Sequence, residues 1–204
     1  MILIMKAEIT NRIIQIVKRL GIVRPKDMDE YGIHRKYIHM LYDQGMLNRI
    51  GRGLYTLHDM EPSENWSIAE ACKRVPSGII CLLSALRFHG LTTQSPYEIW
   101  MAIDHKARSP KEPGIPIRIA RFSGTALTSG IEDHKIEGVS IRVYNPAKTV
   151  ADCFKFRNKI GLDVALEALR DCHRARKCTM DDLWKYAKIC RVANIMKPYL
   201  ESLV

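Results

Sequence analysis

The feature that most constrains the fold is a series of short amphipathic segments ending in a glycine-flanked hairpin, all within about the first 60 residues. The first segment has apolar residues at helical spacing: Ile9, Ile13, Val17 and Leu20. This period predicts a helix that Gly21 ends. Pro25 suits the first turn of a second, short helix, which Gly32 ends. The turn 32–34 then has the length and the glycine that a helix-turn-helix requires.

A third helix and a hairpin complete this pattern. The helix is predicted from Arg35 to Gln44, with Gly45 as its left-handed cap. Two short apolar strands, 47–50 and 54–57, flank Gly-Arg-Gly, which is typical of a tight hairpin. Three helices followed by a hairpin indicate a winged helix-turn-helix over residues 1–60. The polar segment 58–64 marks a domain boundary, so a second domain is predicted over residues 65–204.

The third helix places its basic residues on one face. At about 100° per residue, one arc is apolar and is expected to pack inward: Tyr37, Ile38, Leu41 and Tyr42. The opposite arc holds Lys36, His39, Met40 and Asp43, with Arg35 at its edge. The hairpin adds Arg52 between two glycines and Arg49 at its base.

Exposed basic residues on a helix often form only a solvated face. Here a helix, its charged face and a basic hairpin agree, which favours binding to double-stranded operator DNA. The predicted DNA-binding residues are Arg35, Lys36, His39, Arg49 and Arg52.

The charge balance supports a polyanionic partner. The chain has 32 Lys and Arg against 22 acidic residues, a formal net charge of +10. No run of about 20 apolar residues is present and the first residues do not resemble a signal peptide, so we expect a cytoplasmic protein that does not interact with membranes. The six cysteines are accordingly expected to be reduced, mostly buried thiols.

Residues 65–204 have the pattern of a mixed α/β domain ending in helices. Three segments with many β-branched residues are predicted strands: 99–103, 117–122 and 139–143. Residues 79–82 fit either a buried strand or the start of a helix. The remainder is predicted to be helical, with Pro146 opening one helix and Thr179 and Asp182 forming a capping box on another. The expected fold class is therefore α+β.

Several runs in both domains match one known family. They are residues 32–38, 41, 45, 47, 49 and 51–55, then 81–86, 89–91 and 144–152. These runs resemble the AbiEi family, the antitoxins of type IV toxin–antitoxin (abortive infection) systems. The resemblance implies a winged-helix repressor of an operon that also encodes a nucleotidyltransferase-like toxin. It also implies an antitoxic C-terminal domain, traditionally without a stable toxin–antitoxin complex.

The second set of runs supplies candidate antitoxin residues through this resemblance: Ser84, His89, Lys148, Thr149 and Asp152. Ser84 and His89 are poorly aligned for a nucleophile–base pair, and no nucleophile elbow is present. Residues 147–149 end like a phosphate-binding loop, but no glycine-rich turn precedes them. A capped helix with Asp152 in a local ion pair is therefore favoured over an anion site.

Two other clusters contain residue types of metal or catalytic sites. The spacing of Cys172, His173, Cys178 and Cys190 matches none of the usual structural zinc patterns. Residues 104–106, Asp-His-Lys, resemble the end of a nuclease motif, but no partner acid can be placed. We therefore predict a DNA-binding repressor and antitoxin with no catalytic residue, metal or cofactor. A metal-dependent nuclease and a protein-binding adaptor remain the alternatives.

Overall fold

A computed structural model describes residues 2–60, 63–109 and 114–203. They divide into two compact units, of which the first contains residues 2–60, 63–76, 114–115 and 135–140, and the second contains residues 77–109, 116–134 and 141–203. Residues 61 and 62 of the expected domain boundary lie outside the described residues. The structure places residues 65–76 in the first unit, whereas the sequence-based division assigns them to the second domain.

The first unit has the predicted winged helix-turn-helix order. Its elements are α1 (Ile2–Leu20), a 3-10 helix (Pro25–Tyr31), α2 (Lys36–Asp43), β1 (Leu47–Gly51), β2 (Leu54–Leu57) and α3 (Trp66–Arg74). β1 and β2 pair antiparallel and form the wing. The left-handed cap predicted at Gly45 is present, and the Met46 amide donates to the Leu41 carbonyl oxygen. The second helix of the motif is a 3-10 helix rather than an α-helix.

Two basic side chains attach α3 to the winged-helix residues. Lys73 Nζ lies 2.8 Å from Asp27 Oδ2, and Arg74 Nη2 donates to the Ile50 carbonyl oxygen at 3.1 Å. Arg74 is buried and also pairs with Glu70 of its own helix. These polar contacts attach α3 to the first unit. The division of the sequence rests on the polar segment 58–64, which does not reveal them.

The second unit has a mixed sheet covered by helices. Its strands are β3 (Ile79–Ile80), β4 (Ile99–Asp104), β5 (Ile117–Phe122), β6 (Ile131–Ile136) and β7 (Val139–Tyr144), where residues 135–140 belong to the first unit. The strand order is β5-β4-β3-β7-β6. β3 is antiparallel to β4 and parallel to β7, and β4 is parallel to β5.

The helices of the second unit are α4 (Leu82–Phe88), α5 (Thr125–Thr128), α6 (Pro146–Lys155), α7 (Arg157–Ile160), α8 (Leu162–Arg174), α9 (Met180–Ile189) and α10 (Ala193–Glu201). Most of α6 is buried, from residue 147 to 154. Its apolar side chains join those of α8, α9 and α10 in one hydrophobic cluster. Burial of this helix on all sides explains why its polar residues need partners within the protein.

The three predicted strands of the second domain are confirmed, and residues 79–82 divide into β3 and the first residue of α4. The expectation that the remainder is helical is wrong for residues 131–136, which form β6. Four of the six residues of β6 are polar or charged and stand consecutively between its two isoleucines, so the segment lacks the alternation of apolar and polar residues that indicates a strand.

Four cysteines are buried free thiols, as expected: Cys72, Cys81, Cys153 and Cys190. The expectation of reduced thiols is wrong for Cys172 and Cys178, which form a disulfide. Their Cα atoms lie 6.2 Å apart, a distance that a disulfide can bridge. Within the described ranges, no helix has the length and hydropathy needed to cross a membrane.

Candidate nucleic-acid interface

Two apolar residues fix the orientation of α2. Ile38 and Leu41 are fully buried in the core of the first unit. Lys36, His39 and Asp43 are exposed on the opposite face. Two residues differ from the predicted faces. Tyr42, predicted to pack inward, is 42% exposed, and Met40, predicted on the opposite arc, packs partly against the core. The charged face predicted for this helix is therefore solvent-accessible.

Arg35 stands at the N-terminal cap of α2 and is held by an acid from the preceding 3-10 helix. Its Nε lies 3.0 Å from both carboxylate oxygens of Asp29, and its Nη2 also donates to Asp29 Oδ2. These hydrogen bonds lower the pKa of the Asp29 carboxyl and raise the pKa of Arg35. Both side chains remain about half exposed, at 58% for Arg35 and 48% for Asp29.

Sequence reasoning missed this role of Asp29. Acids near the start of a helix commonly interact with its positive end, as Asp27 does: its carboxylate accepts from the Arg24 amide at 2.9 Å. Asp29 lies late in the 3-10 helix and turns instead towards Arg35, six residues further on. The available signal was an acid placed just before the turn of the motif.

A second contact links α2 to the wing. The Tyr55 hydroxyl on β2 lies 3.3 Å from His39 Nδ1, and the rings of His39 and Tyr42 both meet the Tyr55 ring edge-on with centroids 5.8 Å apart. Tyr55 pairs directly with Arg49 across the hairpin. Directly paired residues of antiparallel strands place their side chains on one face, so Arg49 lies on the face that contacts α2.

The two arginines of the wing differ in their hydrogen bonds. Arg49 Nε donates to the Gly51 carbonyl oxygen at 3.2 Å, beside a register shift in the hairpin. Arg52 is exposed, and it has no hydrogen bond or ion pair with the rest of the described chain. Gly53 has φ +65°, a conformation that glycine adopts without strain. We call the five exposed residues Arg35, Lys36, His39, Arg49 and Arg52 together the α2–wing surface.

Three of the candidate residues in the second unit have internal backbone partners. Ser84 Oγ accepts from the Trp100 amide at 2.9 Å. The Tyr144 carbonyl oxygen accepts from both His89 Nε2, at 2.7 Å, and Thr149 Oγ1, at 3.0 Å. Burial lowers the pKa of His89, although its hydrogen bond to the Tyr144 carbonyl opposes this. These three side chains join α4, β4, β7 and α6.

Lys148 and Asp152 form an ion pair that is fully buried on both sides. Lys148 Nζ lies 2.7 Å and 2.6 Å from the two Asp152 oxygens, and 4.0 Å from the centroid of the Tyr144 ring. The Cys190 thiol also donates to Asp152, at 3.2 Å. Burial raises the pKa of Asp152 to about 6, against the opposing effect of Lys148. The sequence favoured this local ion pair, and the structure shows it.

The geometry of the pair explains why Lys148 does not serve as an anion ligand. A cavity of about 270 Å³ beside α6 is lined by Asp152, Lys155 and Cys190 but not by Lys148. The Asn145 side chain, rather than a glycine-rich loop, caps the start of α6 by accepting from the Lys148 amide at 2.8 Å. Lys148 is therefore directed towards a carboxylate and two aromatic rings inside the protein.

The nuclease-like segment forms a local turn. Asp104 Oδ1 accepts from the Lys106 amide at 2.8 Å, and Arg121 binds the loop that follows through the carbonyl oxygens of residues 104, 105 and 107. Over the described ranges 2–60, 63–109 and 114–203, no three His, Cys, Asp or Glu residues group as metal ligands. This arrangement gives Asp104 an ordinary structural role at the end of β4.

Comparisons with known proteins agree with the fold. The chain is similar to a crystal structure of the RV2827C protein from Mycobacterium tuberculosis, with a TM-score of 0.61 and 12% sequence identity over 89% of this chain and 70% of that one. No curated protein matches the chain significantly. Residues 11–58 match the model of a family described as "Transcriptional regulator, AbiEi antitoxin". Residues 11–58, which form most of the winged helix-turn-helix, are therefore similar to the AbiEi antitoxin family of transcriptional regulators.

Proposed function

We propose that the protein is a sequence-specific repressor of its own operon and the antitoxin of a type IV toxin–antitoxin system. The observation that carries the DNA-binding part is the α2–wing surface, which presents exposed basic residues on a domain matched to a regulator family. The operon is expected to encode a nucleotidyltransferase-like toxin as the functional partner. We expect this action on operator DNA to take place in the cytoplasm.

The dimensions of α2 suit the major groove. Its eight residues span about 12 Å, close to the width of the groove in B-DNA. Arg35 and Lys36 stand at its N-terminal end, the part of a recognition helix that contacts base edges. We assign these two residues to base contacts, His39 and Arg49 to phosphates, and Arg52 to a phosphate or the adjacent minor groove.

Operator binding tests this assignment. A preferred duplex is first selected from a random library, and affinity for it and for a scrambled duplex is then measured by fluorescence anisotropy over a salt series. Arg35→Ala and Lys36→Ala are each expected to cost roughly 1–3 kcal/mol on the selected duplex. Arg52→Ala is expected to weaken binding to both duplexes and to reduce the salt slope by about one charge.

Lys185→Ala provides the matched control, because Lys185 is an exposed lysine on α9 of the second unit. Its removal changes the net charge equally and is expected to preserve discrimination between the two duplexes. Unchanged affinity of all three α2–wing variants would contradict the proposed docking.

Antitoxicity is tested separately by co-expression. We assign it to residues 65–204, following the family resemblance of the second domain. The toxin-like product of the adjacent reading frame is expressed alone, with the full chain, and with the Arg35→Ala/Lys36→Ala/Arg52→Ala variant. Growth restored by both forms of the chain supports antitoxicity independent of operator binding, and growth restored by neither contradicts the antitoxin role.

A further inference from the structure

The contact between Asp29 and Arg35 is asymmetric. A guanidinium group has five N–H donors in one plane. The Asp29 carboxylate binds the edge formed by Nε and Nη2. The edge formed by Nη1 and the outer Nη2 hydrogen receives nothing from Asp29, and the Arg35 side chain is 58% exposed. Asp29 therefore fixes the guanidinium plane while leaving a two-donor edge directed away from the carboxylate.

The two donors of this free edge are spaced to hydrogen-bond a guanine base. Guanine presents two acceptors, O6 and N7, in the major groove, and arginine binds both at once through two parallel hydrogen bonds. A long, flexible side chain normally loses conformational freedom when it makes such a contact. Arg35 has already lost much of that freedom, because Asp29 holds it in the free protein.

From this geometry we propose that Asp29 is a specificity-determining residue, which aims Arg35 at a guanine in the major groove. The proposal rests on the proposed function and adds to it the base that is read and the residue that selects it. The negative charge of the Asp29 carboxylate also lies beside the surface proposed to contact DNA phosphates, and it therefore repels them. Its removal is therefore expected to strengthen binding to any DNA while weakening the preference for guanine.

The test first assigns the guanine. In the selected duplex, each guanine is replaced in turn by 7-deazaguanine, which lacks N7. The wild-type protein is expected to lose about tenfold in affinity at one position, the value of one charge-assisted hydrogen bond. Arg35→Ala is expected to be insensitive to the replacement at that position.

Asp29→Ala is then compared with Glu30→Ala. Glu30 is an exposed acid next to Asp29, so its loss gives the same change in charge. Both variants are expected to bind the scrambled duplex about two- to threefold more tightly. The penalty for 7-deazaguanine at the assigned position is expected to fall below about threefold in Asp29→Ala and to stay near tenfold in Glu30→Ala.

The double variant Asp29→Ala/Arg35→Ala is expected to discriminate no less than Arg35→Ala, because Asp29 acts through Arg35. A full wild-type penalty in Asp29→Ala overturns the proposal while leaving the proposed function intact. A wild-type protein without any preference between the selected and scrambled duplexes overturns both.

Discussion

Replacing Lys148 with Met is expected to destabilise the second unit by about 3–5 kcal/mol, the cost of breaking a buried ion pair on one side. The ammonium and carboxylate groups are both inaccessible to solvent. After the substitution, the Asp152 carboxylate keeps the hydrogen bond from the Cys190 thiol but loses the ammonium group beside it. Most domains are stable by only about 5–15 kcal/mol, so this loss is a large part of the total.

Urea denaturation at pH 7.5, followed by tryptophan fluorescence, measures the effect. With an m-value of about 2 kcal/mol per M, the unfolding midpoint is expected to fall by roughly 2 M. Lys155→Met is the matched control, because Lys155 lies on the same helix but is exposed. That control is expected to change stability by less than about 1 kcal/mol.

The double variant Lys148→Met/Asp152→Leu separates the ion pair from simple packing. Met and Leu approximate the shapes of the replaced side chains, and exchanging a whole buried pair for apolar residues is often neutral or stabilising. The double variant is therefore expected to lie within about 1 kcal/mol of the wild type. A cost of less than about 1 kcal/mol for Lys148→Met would contradict a stabilising buried ion pair, and so would a double variant that costs as much as the two single substitutions together.

Two further predictions concern the second unit. Because burial raises the pKa of Asp152 to about 6, from 3.8 in the unfolded chain, the folded state binds this proton more tightly, and the group adds stability as the pH falls from about 6 towards 4. Urea titrations at several pH values are expected to show this gain in the wild type but not in Asp152→Asn. The structural role of Asp104 predicts that the protein leaves labelled duplex DNA intact in the presence of Mg²⁺. Cleavage that Asp104→Ala abolishes would instead establish the nuclease alternative.

Local patterns predicted most of the first unit because its signals are short-range. Glycines at the ends of helices and the two-strand hairpin are visible within a few residues of sequence. The same holds in the second unit for the capping box at Thr179, which the structure also contains. The inward face of α2 was predicted correctly for Ile38 and Leu41 but not for Tyr42. Tyr42 lies at the border of the apolar arc, where Tyr55 of the wing determines its contacts.

The features that sequence reasoning missed depend on residues distant along the chain. The attachment of α3 through Lys73 depends on an acid 46 positions away, and no periodicity records such a pair. The Asp29–Arg35 contact spans only six residues, but it crosses the turn of the motif, and its geometry depends on how the 3-10 helix ends. The tertiary structure therefore determines which basic side chain each acid contacts: Asp27 contacts Lys73, and Asp29 contacts Arg35.

Burial of four of the five candidate antitoxin residues limits how they would contribute to the proposed antitoxicity. Ser84 is 1% exposed, and Lys148, Thr149 and Asp152 are fully buried, so a toxin docked on the folded protein does not touch these side chains. Their hydrogen bonds are satisfied within the unit, and their loss is expected to act through folding. A Thr149→Val variant that loses antitoxicity should therefore also unfold at lower urea concentration. Under the proposed function, direct contacts to a toxin would come from exposed residues or from His89, whose side chain is only partly buried.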